Sequence, residues 1–259
     1  MDTGLAGKGV LVTGGAGGIG SAIVEEMAAE GVTVAVHYRS NRERAERLAA
    51  ETGGIALRAD LTVEREADDL VPRAVEGLGR LDVLVANAGV WPSEDLALWD
   101  MSYDRWRNTM AADLDSVFLT CRGFLRHVKK TGSGNIVIVS STAGIFGEAG
   151  HSDYAAAKSA LAFGLARSLK NEIVRIAPRG RVNVVCPGWT VTGMTRSTLE
   201  DPAEGERITR TMSLRKLGRA EDVARTVVML ASDRISGHVT GQIVTVAGGM
   251  EGRVVHDGE

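Results

Sequence analysis

Thr13-Gly14-Gly15-Ala16-Gly17-Gly18-Ile19-Gly20 follows the apolar run that begins at Gly9 and leads straight into Ser21-Ala22-Ile23-Val24-Glu25-Glu26-Met27-Ala28-Ala29-Glu30. The order is strand, glycine-rich turn, helix. Glycines let a backbone approach a pyrophosphate with no Cβ in the way, and the free N–H groups at a helix start attract its negative charge. A glycine-rich turn by itself is also an ordinary tight turn, so its weight depends on what the rest of the chain places around it.

Working outward, six further β-branched runs read as strands at 32–37, 55–59, 81–86, 135–140, 181–186 and 242–246, after the first at 9–13. Several are apolar almost throughout, as strands covered on both faces are, and helical patterns separate them at about 18–30, 41–52, 64–78, 103–130, 154–177 and 220–231. Strand and helix alternation with right-handed crossovers gives an α/β fold: a Rossmann-like, doubly wound parallel sheet of seven strands with helices on both faces. No linker, low-complexity tract or repeat divides the chain, so residues 1–259 read as a single dinucleotide-binding domain. The least regular long stretch is 188–214, and an irregular segment of that length in a compact domain reads as a substrate lid.

The 259 residues are 44% hydrophobic and 24% charged, the composition of a globular protein that buries a sizeable core. A formal charge of -3 gives no overall basic field, which argues against nucleic acid or an anionic membrane as the main partner. Cys121 and Cys186 are the only cysteines and lie among apolar residues, a pattern of reduced, buried thiols in the cytoplasm. The amino terminus lacks a basic segment followed by a long apolar one, and no apolar run reaches transmembrane length.

More ordered motifs accompany the turn. Asn87-Ala88-Gly89 follows the fourth strand, Ser141 ends the fifth, Tyr154-Ala155-Ala156-Ala157-Lys158 opens a helix, and Pro187-Gly188 follows the sixth strand. Four residues apart on a helix, Tyr154 and Lys158 share a face, which brings an ammonium near a phenol. A phenol titrates near pH 10, and nearby positive charge is expected to lower that value and make Tyr154 a usable acid or base. With its TGxxxGxG turn, NAG, a serine 13 positions before the tyrosine, YxxxK and PG, the chain resembles the classical short-chain dehydrogenase/reductase family over nearly its whole length, and most resembles its ketoreductases.

That resemblance implies an oxidoreductase that moves a hydride between a nicotinamide cofactor and a ketone or secondary alcohol. Tyr154 would be general acid or base, Ser141 would hydrogen-bond the substrate oxygen, and Lys158 would assist the tyrosine and hold the nicotinamide ribose. It also implies cofactor contacts from Thr13, Gly14, Gly18, Ile19, Gly20, Asp60, Leu61, Asn87, Ala88, Gly89, Pro187, Gly188, Thr190 and Thr192. There are departures: Asp113 stands where the family's fourth catalytic residue is usually asparagine, and Ala247 where an aspartate is common. A carboxylate only accepts hydrogen bonds whereas an amide also donates, so Asp113 is expected to keep the architecture of the proton pathway while altering it. After the second strand comes His37-Tyr38-Arg39-Ser40-Asn41-Arg42 with no acid, so Arg39 and Ser40, with Arg42 as a further cation, point to NADP(H) over NAD(H). Trp91, Ile145, Phe146, His151, Trp189, Met194 and Thr195 are the candidates for a largely apolar substrate pocket. Lys129, Lys130 and Arg179 are cations an acidic carrier protein would meet, although a solvated charged surface is the favoured reading of them. By the same resemblance a homotetramer is expected and no metal is assigned. An NAD-linked alcohol dehydrogenase and a catalytically silent NADP-binding sensor are the alternatives.

Overall fold

Seven parallel strands carry the core: β1 (Gly9–Val12), β2 (Thr33–Tyr38), β3 (Ile55–Arg58), β4 (Val83–Ala86), β5 (Asn135–Val139), β6 (Arg181–Pro187) and an edge strand, Ile243–Val246. The computed structural model of the chain describes residues 2–195, 201–250 and 252. The spatial order is β3-β2-β1-β4-β5-β6 and then the edge strand, so the winding reverses between β1 and β4. In open sheets of this kind, ligands bind outside the carboxyl ends of the strands at the reversal point. Both faces are covered, as the apolar strands require. One core, around Phe124, Leu70, Ile136 and Ile173, lies under α3 (Glu64–Leu78) and the long helices that follow β4 and β5. The other, around Ile23, Met27 and Val85, lies under α1 (Gly18–Ala29) and α2 (Arg42–Thr52). Cys121 and Cys186 are buried free thiols, and burial pushes the Cys121 thiol up to about 12.

The two long helices differ in an instructive way from the expected 103–130 and 154–177. The first is α4 (Tyr103–Met110), a π-helical turn at Ala111–Asp115, and α5 (Ser116–Thr131). The second is α7 (Ser152–Ser159), a π-helical turn at Ala160–Leu165, and α8 (Ala166–Ile173), preceded by the short α6 (Ala143–Phe146). A π turn holds one more residue per hydrogen bond and rotates the helix beyond it, a device often found at functional sites. Here it carries Asp113 inward to full burial. The stretch expected to be irregular, 188–214, contains β7 (Thr190–Val191), which pairs with β8 (Gly218–Arg219), and the helix α9 (Pro202–Thr209); residues 196–200 lie outside the described residues. A further helix, α10 (Ala220–Ala231), packs on the α1 face. No helix among the described residues is long and apolar enough to cross a membrane.

Candidate active site

The turn after β1 has the shape its glycines permit. Gly14 has φ +63°, and a Cβ there would lie 3.0 Å from the Ala88 Cα. At Gly18 a side chain would run into Thr192, 2.6 Å from its Cβ, and at Gly20 into the Gly14 carbonyl. Gly17 caps α1 without a side chain and no acidic residue enters the first turn, so the donors and the positive end of the helix dipole are offered to a ligand. They open on a cleft of about 290 Å³ bounded by Gly14, Ala16 to Gly20, Tyr38 to Asn41, Asn87 to Val90, Tyr154, Lys158 and Thr192. A cradle in which added Cβ atoms have no room, facing uncapped helix donors, fits a dinucleotide pyrophosphate. Thr13 does not line this cleft: its hydroxyl accepts from the Asn87 and Ala88 N–H groups at 2.9 and 3.0 Å and so ties the turn to the end of β4.

One residue that sequence reasoning passed over holds the turn from below. The Gly14 N–H donates to His37 Nδ1 at 2.9 Å, the opposite ring nitrogen lies 3.1 Å from the Ala59 carbonyl oxygen, and the Gly15 N–H donates to the His37 carbonyl at 2.8 Å. The acceptor role fixes the neutral tautomer with the proton on Nε2. Burial is the main reason the ring titrates at about 4, well below the usual histidine value.

Beyond the turn, exposed Arg39 and Ser40 border the cleft, and a smaller cavity beside it brings them together with Asp60 and Leu61. Arg42 points elsewhere, since its guanidinium pairs with Glu46 at 2.7 Å. Asp60 takes the Thr62 N–H and hydroxyl, which with Arg39 nearby hold its carboxyl below the ordinary range; it does not cap α3, whose first flanking residue is Val63.

At the other end of the cleft, Ser141 follows β5 and Tyr154 and Lys158 face it from α7. The Ser140 hydroxyl donates to the Lys158 carbonyl at 2.7 Å, and Gly144 permits contact with the same turn, because a Cβ there would strike the Lys158 and Ser159 backbone. The Lys158 Nζ sits 5.4 Å from the Tyr154 ring centroid and 3.0 Å from Asp113 Oδ1, which also accepts the Val90 N–H at 3.1 Å. Gly89 makes this meeting possible, since a side chain there would occupy the space of Asp113 Oδ1 and lie 2.8 Å from Lys158 Nζ. Asp113 Oδ2 is buried with no hydrogen-bond partner among the described residues.

The charges of the chain itself do not lower the Tyr154 phenol, and the expected lowering rested on an oxidised nicotinamide beside it as well as on Lys158. Burial is the largest influence and raises the Tyr154 phenol above its ordinary value; Lys158 and the Ser141 hydroxyl oppose it, and Asp113 reinforces it. Burial likewise raises the Asp113 carboxyl against the pull of Lys158. For Lys158, burial disfavours the ammonium, but Asp113 and Tyr154 outweigh it and hold the group above its usual value.

A separate cavity of about 120 Å³ opens from Tyr154 and Ser141 and is walled by Trp91, Glu148, Pro187, Gly188, Trp189, Thr190, Met194 and Thr195. Trp91, Trp189 and Met194 therefore stand on the expected wall. His151 is placed behind Trp91, stacked on the indole at 4.6 Å with Nε2 2.8 Å from the Pro92 carbonyl oxygen, and so does not face the cavity. Phe146 borders a neighbouring chamber instead, and Ile145 packs against the core. Glu148, which no sequence motif marked, is the acidic member of the wall. Lys129 and Lys130 end α5 just before β5, and Arg179 precedes β6, so all three sit at the amino ends of the strands, opposite the cleft. Among the described residues no group of three or more His, Cys, Asp or Glu is placed to hold a metal ion.

Comparison with known proteins agrees with this geometry. The family model described as Enoyl-(Acyl carrier protein) reductase matches residues 14–251. The 3-oxoacyl-[acyl-carrier-protein] reductase FabG of Chlamydia pneumoniae is 35% identical over 255 residues, covering 96% of this chain and 99% of that protein. A 3-oxoacyl-[acyl-carrier-protein] reductase of Synechocystis is 34% identical over 96% of this chain and 98% of its own length. The FabG protein of Salmonella typhimurium is 36% identical over 94% of this chain and 97% of its own.

Proposed function

The chain belongs to the short-chain dehydrogenase/reductase family and is an oxidoreductase acting on the CH–OH/C=O pair; from that premise we propose that it reduces a ketone to a secondary alcohol with NADPH, Tyr154 supplying the proton. The observation that carries the reading is that Tyr154 borders both the cofactor cleft and the small cavity, with Ser141 on the cavity side and Lys158 on the cleft side. A nicotinamide bound in the cleft supplies the hydride. As the carbonyl carbon receives it, the oxygen gains negative charge, the Ser141 hydroxyl hydrogen-bonds that oxygen, and the Tyr154 O–H transfers its proton to it. The Lys158 ammonium stabilises the phenolate left behind, and Asp113 keeps that ammonium in place. Two hydroxyl groups facing one cavity suit an oxygen that becomes an alkoxide, which favours the carbonyl chemistry named for the relatives over the reduction of a carbon–carbon double bond named for the family model.

Preference for NADP(H) rests on Arg39, whose guanidinium has no hydrogen bond or ion pair among the described residues, and on the lack of an acid at the end of β2. Thr192 borders the cofactor cleft from the lid side, and Gly188, Trp189, Thr190, Met194 and Thr195 wall the substrate cavity. The substrate is a ketone, and Lys129, Lys130 and Arg179, at the far end of the sheet, are not placed to bring an acidic carrier protein to the cavity. Phe118 and Phe163 are 46% and 40% exposed on the long helices, with Arg122 and Arg167 over their rings, a surface that suits the helix pairing of a homotetramer. Buried free thiols fit a reducing compartment, which in this reading is the cytoplasm.

Incubation of the purified protein with NADPH and a ketone panel tests the reading through loss of reduced-cofactor absorbance. Tyr154→Phe is expected to lower kcat by about a hundredfold or more, the usual value of a positioned general acid, with cofactor affinity retained. Arg39→Asp is expected to shift the NADPH to NADH ratio of kcat/KM by about tenfold or more, the size of a charge-assisted hydrogen bond. An unchanged ratio refutes the role of Arg39, and cofactor binding without turnover across the panel refutes the enzymatic reading.

A further inference from the structure

The cavity at Tyr154 is lined mainly by apolar and hydroxyl-bearing side chains, and one carboxyl group interrupts them. Glu148 sits on the loop between α6 and α7, immediately after Gly147, which adopts φ +79°. The Trp91 indole N–H donates to Glu148 Oε1 at 3.0 Å and so fixes the carboxylate against the wall. Its other oxygen takes no hydrogen bond among the described residues. The nearest cationic candidate, His151 Nδ1, is 3.7 Å away on the same Oε1 and is turned toward backbone carbonyls. Among the described residues no lysine or arginine lines this cavity. Asp95 adds negative charge nearby, and with burial it raises the Glu148 carboxyl against the help of Trp91 and His151.

A half-buried carboxylate with a spare oxygen and no cation is an unfinished ion pair. Trp91 and Trp189 meet edge to face at 6.0 Å beside it and present aromatic surface, which also attracts cations. Glu148, Trp189 and Thr142 border both the inner cavity and an outer chamber of about 570 Å³ next to α9, so a substituent that runs outward from the reacting carbonyl passes the carboxylate. On the outer chamber's far side Arg207 is engaged by Glu204 at 2.6 Å.

We infer that Glu148 is the residue that selects the substrate, and that the substrate is a compact ketone, or its alcohol, carrying a protonated amine that pairs with the free Glu148 oxygen while Ser141 and Tyr154 hold the reacting oxygen. This rests on the ketone-reductase reading. It also turns the acidic wall into a barrier: a keto acid of the same length would bring two carboxylates together, and a simple alkyl ketone would leave Glu148 without a partner.

The test is a panel of ketones of one length ending in an amine, a hydroxyl, a methyl or a carboxylate, assayed with NADPH on wild type and Glu148→Gln. The glutamine keeps an acceptor for the Trp91 N–H and removes the charge. For wild type, kcat/KM is expected to rank amine first and carboxylate last, and the amine to methyl ratio is expected to fall about tenfold or more in Glu148→Gln, as for loss of one charge-assisted hydrogen bond. A ratio equal in the two proteins, or a wild type that prefers the methyl, hydroxyl or carboxylate member, overturns the inference while leaving ketone reduction intact. Tryptophan fluorescence titration of each amine ketone and its alcohol into the protein saturated with NADP supplies a second readout. If no ketone is turned over yet the amines bind wild type and not Glu148→Gln, the reductase reading fails and the amine site stands; amines that bind both equally overturn the site whatever the turnover.

Discussion

Acidification should loosen this protein through a single imidazole under the cofactor turn. His37 is 2% exposed, titrates at about 4 in the folded chain, and accepts the Gly14 N–H, a role that protonation abolishes. An unfolded histidine titrates near pH 6.5. Between those values the unfolded chain binds a proton that the folded chain refuses, so stability from the neutral ring is fully present above about pH 6.5 and is lost as pH falls toward 4. A difference of roughly 2.5 units corresponds to about 3 kcal/mol in total, of which about 2 kcal/mol is already lost at pH 5. Denaturant unfolding followed by circular dichroism at pH 7 and about pH 5, at one protein concentration, measures the loss in wild type and in His37→Gln. The glutamine offers an acceptor and a donor without titrating, so carboxylates common to both proteins cancel in the difference. Wild type is expected to lose about 2 kcal/mol more than the variant over that interval. NADP affinity should hold over that interval, because at about pH 5 only about a tenth of the folded rings are protonated, and should weaken more in wild type than in the variant as pH falls to about 4, where protonation displaces the Gly14 amide that shapes the pyrophosphate cradle. Equal losses in the two proteins would refute the assignment of the neutral, accepting tautomer.

Other consequences are more local. Asp113→Asn removes an anion that raises the Tyr154 phenol, so the ascending limb of kcat/KM for alcohol oxidation should move to lower pH; a profile that stays in place would show that Asp113 does not act on the tyrosine. Gly89→Ala puts a methyl where Asp113 Oδ1 and Lys158 Nζ meet, and is expected to cost about 1–3 kcal/mol of stability in thermal unfolding together with kcat, a loss that Ala88→Gly beside it should not share. At the far end of the sheet, burial disfavours the Asp233 carboxylate, but hydrogen bonds from Lys8, Asn135 and Arg181 outweigh it and bring the group down to about 2. Its contribution is therefore present above the ordinary carboxylate range and lost as pH falls toward 2; with a side chain 53% exposed, solvent screening reduces it to about 1 kcal/mol, which Asp233→Asn should remove at neutral pH in a denaturant titration.

The parts of this fold that could be read in the chain were those set by periodicity and by backbone freedom. Apolar runs placed all seven strands to within two residues, because strands covered on both faces admit little but apolar side chains. The glycines at 14, 18, 20 and 89 were legible since each occupies a place where a Cβ has no room. The π turns were not. The periods of α- and π-helix differ too little over five residues for the sequence Ala111 to Asp115 to announce one, yet that turn is what buries Asp113 against Lys158. His37 and Glu148 escaped for a related reason: their partners, Gly14 and Trp91, are 23 and 57 residues away in sequence, so neither contact leaves a local pattern. His151, by contrast, looked available for a substrate and is taken up by Trp91 and two backbone carbonyls.

The burial of Asp113 bears on the direction of the reaction. An amide at that place would leave Lys158 as an uncompensated cation beside the phenol and favour the phenolate, the form that removes a proton from an alcohol. With Asp113 in contact, Tyr154 faces an ion pair, whose field falls off faster than that of a lone charge. Burial then dominates, and the phenol keeps its proton at neutral pH. A protonated Tyr154 is the species that ketone reduction consumes, and alcohol oxidation must first remove that proton against the raised value. In the proposed mechanism the same carboxylate would hold the ammonium that stabilises the phenolate once the proton has left, so Asp113 would favour the acid before the transfer and serve its product after it. The unpartnered Asp113 Oδ2 is the cost of that arrangement, since a buried carboxylate oxygen without a donor is tolerated only where the rest of the network fixes it.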